Sequence, residues 1–100
     1  MILLTATTHI LEVLTGAAVS LDYEVDYVDI TTSAFTPGHL EGNITTATTT
    51  TIVSAPASST QRQIQSITLI NKSSSAEQTV TVKFDVSGTE RYLTPTITLS

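Results

Sequence analysis

The chain contains no cysteine and no tryptophan. The lack of cysteine excludes disulfides and thiolate metal sites, and it fits a protein made in a reducing cytosol. No run of 18 or more apolar residues occurs, so the sequence predicts no transmembrane helix and no membrane partner. The opening Met1–Ala6 lacks the length and the positive flank of a signal peptide.

Basic residues are also scarce, with four Lys and Arg against nine Asp and Glu, giving a net charge of −5. Nucleic-acid binding needs clustered Lys and Arg, so it is not expected here. Charged residues make up 13% of the chain, about half the usual share. Thr and Ser, about a third of the chain, take their place. Because β-branched Thr favours pleated surfaces, this composition predicts β-structure with a neutral polar exterior.

Alternating apolar and polar residues mark the clearest strands. In residues 19–30, apolar side chains occupy the odd positions from Val19 to Tyr27, and the even positions from 22 to 26 are acidic. This period of two predicts a half-buried antiparallel strand. Val28 and Ile30 then fall on even positions, which predicts a bulge at Tyr27–Val28.

Two further strands are predicted at 61–71 and at 78–86. Of these, residues 78–86 show the strictest alternation of apolar and polar side chains. The dipeptide Ser87–Gly88 predicts a hairpin turn after the second of these. Because proline interrupts a strand, residues 93–99, which contain Pro95, are predicted to form either an edge strand or two short strands.

The sequence predicts the secondary structure of the remaining segments less sharply. Residues 9–14 read as a strand or as one helical turn, and the Thr-rich residues 43–53 as one strand or two short ones. Residues 31–42 are predicted to be a loop containing a type II turn at Pro37–Gly38, because proline presets φ and glycine supplies a positive φ.

Turns every 8 to 14 residues without a helical period predict an all-β fold. We expect a small antiparallel β-sandwich or barrel with an extended N-terminal arm. Residues 1–40 would form the arm and residues 41–100 the β-sandwich module.

Charge is distributed unevenly along the chain. Residues 1–50 carry six acidic and no basic residues, whereas residues 51–100 carry four basic and three acidic ones, giving −6 and +1. The acidic residues form either a solvated strand face or a surface that docks against a basic neighbouring subunit. Under the second interpretation the candidate interface residues are Glu12, Asp22, Glu24, Asp26, Asp29, Phe35, Arg62 and Arg91.

No group of residues predicts catalysis. His9 and His39 have no Ser–Asp or Cys arrangement nearby, and no phosphate-binding, GxSxG or HExxH motif is present. We therefore predict neither an enzyme nor a cofactor. The carboxylates at 22, 24 and 26 share one strand face, but a Ca²⁺ site needs six to eight converging oxygens, so no metal site is predicted.

Several segments resemble small virion structural proteins of tailed bacteriophages, and together they span most of the chain. The resemblance lies in Leu3–Thr8, Phe35–Gly38, Ser54–Ala57 followed by Arg62, Ile67–Asn71 and Val80–Thr89.

The resemblance implies a non-enzymatic protein assembled in the host cytoplasm and located on the virion. The first placement is a capsid cement or decoration protein on the capsid surface. It would form a homotrimer and bind the major capsid protein. The alternatives are a tail or fibre component, and, in a different class, a carbohydrate-binding or adhesion module.

Overall fold

The computed structural model describes residues 2–100, which form nine β-strands and no helix. The strands are β1 (Ile2–Leu4), β2 (His9–Thr15), β3 (Leu21–Ile30), β4 (Phe35–Ile44), β5 (Thr49–Val53), β6 (Gln61–Asn71), β7 (Gln78–Val86), β8 (Thr89–Tyr92) and β9 (Ile97–Leu99).

The strands form two antiparallel sheets. Sheet A has the order β1-β6-β3-β4, and sheet B has the order β5-β2-β7-β8, with β9 also pairing with β7. The sheets pack face to face over one apolar core, so the predicted all-β sandwich is confirmed.

The core consists of the inward-facing side chains of both sheets, which follow from the alternation in the sequence. Sheet A contributes Leu4, Leu21, Val25, Ile44 and Ile64, and sheet B contributes Leu11, Val13, Ile52, Val53, Val80 and Val82.

Gln78 is a polar residue of this interior and is fully buried. Its amide nitrogen donates to the carbonyls of Ala17 and Val19 at 2.7 and 2.8 Å, and its oxygen accepts from the Ala17 N–H at 3.0 Å. These bonds supply the polar partners that a buried amide requires. Gln78 thereby fixes the segment that carries the chain from β2 in sheet B to β3 in sheet A.

The strands predicted at 19–30, 61–71 and 78–86 are confirmed as β3, β6 and β7. The bulge predicted at Tyr27–Val28 is misplaced, because the register shift lies between Asp26 and Tyr27 and only in the pairing of β3 with β6. The unpaired residue is Gln65 of β6, because Asp26 pairs with Ser66 and Tyr27 with Ile64. The bulge thus belongs to the neighbouring strand.

The hairpin turn at Ser87–Gly88 is also confirmed. Both residues have positive φ, 54° and 91°, as a two-residue type I′ turn requires. Beyond it, the chain on either side of Pro95 forms two short strands, β8 and β9, both paired with β7. Residues 9–14 belong to strand β2, which settles the choice left open by the sequence.

The predicted loop at 31–42 is wrong. The turn occupies Thr31–Ala34, where the Thr31 N–H donates to the Ala34 carbonyl at 3.0 Å, and β4 begins at Phe35. Pro37 and Gly38 lie within β4, an edge strand, which is where a sheet tolerates proline. The glycines leave room for aromatic rings on β3, because a Cβ at Gly38 would lie 2.7 Å from the Tyr27 hydroxyl oxygen.

The expectation of a separate N-terminal arm is also corrected. Within residues 2–40 lie β1, β2, β3 and the first part of β4, and this segment provides five of the eleven buried apolar core side chains. β3 lies between β4 and β6, and β2 lies between β5 and β7. The acidic segment looks extended in sequence because its strands have polar outer faces, while its apolar inner faces form half of the core.

Candidate functional site

The outer surface of sheet A carries a row of carboxylates that we name the acidic face: Asp22, Glu24 and Asp26 of β3, and Glu41 of β4. The three β3 residues alternate with core-facing residues, so they point away from sheet B. They lie about 7 Å apart along the strand. The acidic face therefore presents a line of charge and not a set of converging ligands.

Two of these carboxylates stand directly opposite each other, because Glu24 pairs with Glu41 across β3 and β4. Both residues are exposed. Like charges in this position destabilise a sheet. The pair therefore concentrates negative charge at one place on the outer side of sheet A.

A shallow depression of about 550 Å³ surrounds this pair. Its walls include Asp22, Asn43, Thr68 and Ile70, and Ile70 is 56% exposed. An apolar side chain ringed by acidic and amide groups suits contact with a long basic side chain, whose methylene groups pack while its charge pairs.

Lys72 is the cation that reaches the acidic face in the described part of the chain. Its Nζ lies 3.8 Å from Asp22 Oδ2, and both side chains are about half exposed. Exposed pairs of this kind contribute little. Asp26 accepts a hydrogen bond from Ser66 at 2.9 Å, which orients the carboxylate but leaves its charge.

Asp29 and Arg62, both predicted to lie at an interface, instead pair with each other. Arg62 Nε lies 2.8 Å from Asp29 Oδ1, and its Nη2 lies 3.0 Å from Oδ2, forming a bidentate contact. The guanidinium also stacks 4.5 Å from the centre of the Tyr27 ring and donates to the Ser54 carbonyl. The hydrogen bond to Asp29 raises the pKa of Arg62. This pair ties sheet A to the segment after β5 and serves the fold.

Glu12 lies away from the acidic face, on the outer side of sheet B, in a group that we name the carboxylate cluster: Glu12, Asp85 and Glu90. Carboxylate oxygens of the three lie within 4.8 Å of one another. Lys83, opposite Glu12 on β7, donates to Glu90 Oε2 at 2.7 Å. With the Lys83 ammonium already paired with Glu90, the three carboxylates form part of a mixed ion cluster.

The cluster changes the proton affinity of its members. Burial raises the pKa of Glu12, and the carboxylates of Glu90 and Asp85 raise it further, while Lys83 opposes the rise. Within residues 2–100, Glu12 Oε1 is buried and accepts no hydrogen bond. The hydrogen bond to Glu90 raises the pKa of Lys83.

The last two predicted interface residues lie apart from each other. Phe35 is 76% exposed at the start of β4 and pairs across the sheet with Ile30. Arg91 is exposed on β8 at the opposite edge of the molecule. The structure therefore groups Asp22, Glu24 and Asp26 on one surface. Phe35 lies on the same outer side of sheet A but at the far end of β4, and Glu12, Asp29, Arg62 and Arg91 lie elsewhere.

Sequence reasoning missed Glu41 as a member of the acidic face, because it placed residue 41 in a loop. The signal that could have found it is the alternation of His39, Glu41 and Asn43 with Leu40 and Gly42. It also missed the partners of Glu12, which lie more than 70 residues away in sequence.

Comparisons with protein families, with curated proteins and with solved structures found no match. Among residues 2–100 there is no helix long and apolar enough to cross a membrane.

Proposed function

We propose that this protein is a non-enzymatic structural component of a tailed-bacteriophage virion, a decoration protein that binds the major capsid protein and stabilises the head shell. The observation that carries the proposal is the acidic face, with Glu24 and Glu41 opposed across β3 and β4. The sequence resemblance to small phage virion proteins supplies the class of assembly.

The charge balance of the fold supports a docking role for this face. Arg62 and Lys83, the closely paired cations, are engaged with Asp29 and Glu90 elsewhere, so Lys72 beside Asp22 offsets only part of the negative charge of the acidic face. Complementary charge across an interface raises the association rate and selects the partner. The matching surface on the shell is therefore basic.

The mechanism is mechanical. A protein that binds the assembled shell and not its separated subunits stabilises the shell by mass action, by about 2.7 kcal/mol per site when its free concentration is 100 times Kd. Self-association would stabilise the folded protein by mass action in the same way. We propose that the protein forms a homotrimer on the capsid surface. The native mass of the isolated protein tests that part directly.

The aromatic side chains give little support to the carbohydrate-binding alternative. Tyr23 and Tyr27 face inward and pack against the core, over Gly42 and Gly38. Stacking platforms for sugars need exposed rings, and the exposed rings Phe35 and Tyr92 lie on different sheets. They do not combine into one platform, which favours the structural role.

The test compares binding of the protein to heads that lack it, using E24Q/E41Q and the matched control E77Q. Glu77 is an exposed carboxylate between β6 and β7, outside the acidic face. We expect E24Q/E41Q to bind at least about tenfold more weakly and to protect heads less from heating, and E77Q to behave as the original protein. Equal binding by all three proteins would contradict the proposal.

Copy number separates the two virion placements. Quantitative mass spectrometry of purified particles should find the protein in a fixed ratio to the major capsid protein. A few copies per particle would instead place it in the tail or fibre. Deletion of residues 1–18 is unsuitable as a test, because it removes β1 and β2 from the sandwich.

A further inference from the structure

β4 is the long open edge of this sandwich. Among residues 2–100, the other edge strands are short: β1 has 3 residues, β5 has 5, and β8 and β9 have 4 and 3. β4 has 10 residues and pairs on one side only, with β3. Its other side presents a row of backbone N–H and C=O groups.

Little blocks that edge from pairing with another strand. Proteins usually protect long edges with lysines, prolines, bulges or a covering segment. β4 contains no lysine, and its register with β3 is unbroken from Phe35 to Ile44. Pro37 removes one donor near the beginning, which leaves Gly38–Asn43 open, with alternate residues exposed.

The charged side chains beside β4 determine which kind of strand can pair with its open side. The outer side of β3 and β4 carries the four carboxylates of the acidic face, with Glu41 on the edge strand itself. A second copy of this chain, pairing edge to edge, would bring four more carboxylates onto the same continuous sheet surface. Like charges across neighbouring strands oppose that pairing. A Lys or Arg on the outer side of an added strand pairs with Glu41 directly. Glu24 lies one strand farther, about 10 Å away, which a long basic side chain can span.

We propose that β4 accepts an extended, basic segment of a partner protein as a fifth strand of sheet A, with Lys or Arg at alternate positions along the acidic face. This inference rests on the proposed function and specifies how the partner binds. Backbone hydrogen bonds to β4 would supply much of the affinity, and the basic side chains would supply specificity and register.

The test uses synthetic peptides as long as β4. The first alternates Lys and Thr, and the control has the same composition with all Lys residues contiguous. Binding to the full chain labelled with ¹⁵N is followed by NMR at low and physiological salt. We expect the alternating peptide to bind at least about tenfold more tightly and to slow hydrogen exchange of amides within Gly38–Asn43.

Two N-methylated versions of the alternating peptide separate strand addition from simple charge attraction. One version is methylated at the odd residues and the other at the even residues. In an added strand only one of these sets of amides faces β4. One version should therefore lose binding while the other keeps it. The variant E24Q/E41Q should weaken the active peptide, and E77Q should not.

Three results would overturn the inference: equal binding by the alternating and contiguous peptides, tolerance of both N-methylated versions, or no change in β4 hydrogen exchange on binding. If any of these occurs while E24Q/E41Q still lowers binding to heads, the decoration role stands and the partner contacts the face without adding a strand. If the peptide test overturns the inference and E24Q/E41Q also binds heads normally, the acidic face is a solvated surface.

Discussion

Glu12 shows how one partly buried carboxylate makes stability depend on pH. The charged groups around it are Lys83 and Asp85 of β7 and Glu90 of β8, while β5 places the neutral Thr51 opposite it. Since the pKa of Glu12 is raised in the folded protein, its contribution to stability is fully present below the unfolded pKa of about 4.3. That contribution is lost as the pH rises through the folded value.

The substitution E12Q should therefore stabilise the protein at neutral pH, because glutamine fills the same space without a charge. We expect a small gain in the free energy of unfolding at pH 7, because solvent screens a partly exposed carboxylate, and a gain near zero at pH 4. Thermal unfolding of the original protein and of E12Q across this pH range measures the difference. The control E77Q should show no comparable gain, and a pH-independent effect of E12Q would contradict the burial argument.

At the scale of strands, β4 shows why part of the fold escaped sequence analysis. Strong alternation identified β3 and β7, and β6 was identified from its apolar residues although the spacing from Ile64 to Ile67 breaks the alternation. β4 combines Pro37, Gly38 and Gly42, which locally favour a turn. Its strand geometry comes from pairing with β3, where Tyr23 and Tyr27 lie over the two glycines. Tertiary contact overrides local propensity at these positions.

The substitution G42A tests this ring-over-glycine contact. A Cβ at residue 42 would lie 2.5 Å from the Tyr23 hydroxyl oxygen, so the ring would have to move. We expect G42A to lower the free energy of unfolding by about 1–3 kcal/mol in chemical denaturation. In a Y23L background, G42A should lower the free energy of unfolding by a clearly smaller amount. Equal costs in the two backgrounds would show that the ring does not limit residue 42.

The charged residues of the two sheets were only partly predictable from the sequence. Asp22, Glu24 and Asp26 were predictable, because a single strand places them on one side. The pairings of Arg62 with Asp29 and of Lys83 with Glu90 depend on which strands become neighbours. Of these two pairs, only Arg62–Asp29 joins the two halves of the chain, and it offsets part of the charge imbalance between them, whereas Lys83 and Glu90 both lie in the second half.

Across the whole molecule, the first 40 residues are inseparable from the rest. The molecule measures 48 × 26 × 19 Å, and central strands of both sheets, β2 and β3, come from this segment. The sequence suggested an arm because polar outer faces and turn residues dominate that region. Its apolar positions, such as Leu11 and Val25, are fully buried once the sheets pack.

A fragment of residues 41–100 should consequently fail to fold. It would keep β6 and β7 but lose the strand between β4 and β6 and the strand between β5 and β7. We expect a poorly dispersed ¹H–¹⁵N spectrum and no cooperative thermal transition, whereas the full chain should give a dispersed spectrum and a cooperative transition. A cooperatively folding fragment would restore the division into an arm and an independent module.

The topology that places β6 against β1 and β7 against β2 also sets the order of events during synthesis. The β3–β4 hairpin is the local pairing available early, since Leu21–Ile30 and Phe35–Ile44 are adjacent in sequence. β2 gains its β7 partner only after Val86 has left the ribosome. Long-range pairings of this kind slow folding and leave apolar strand faces exposed in the meantime. A newly made chain would therefore spend that interval as a client for chaperones, with Leu11 and Val13 on the surface.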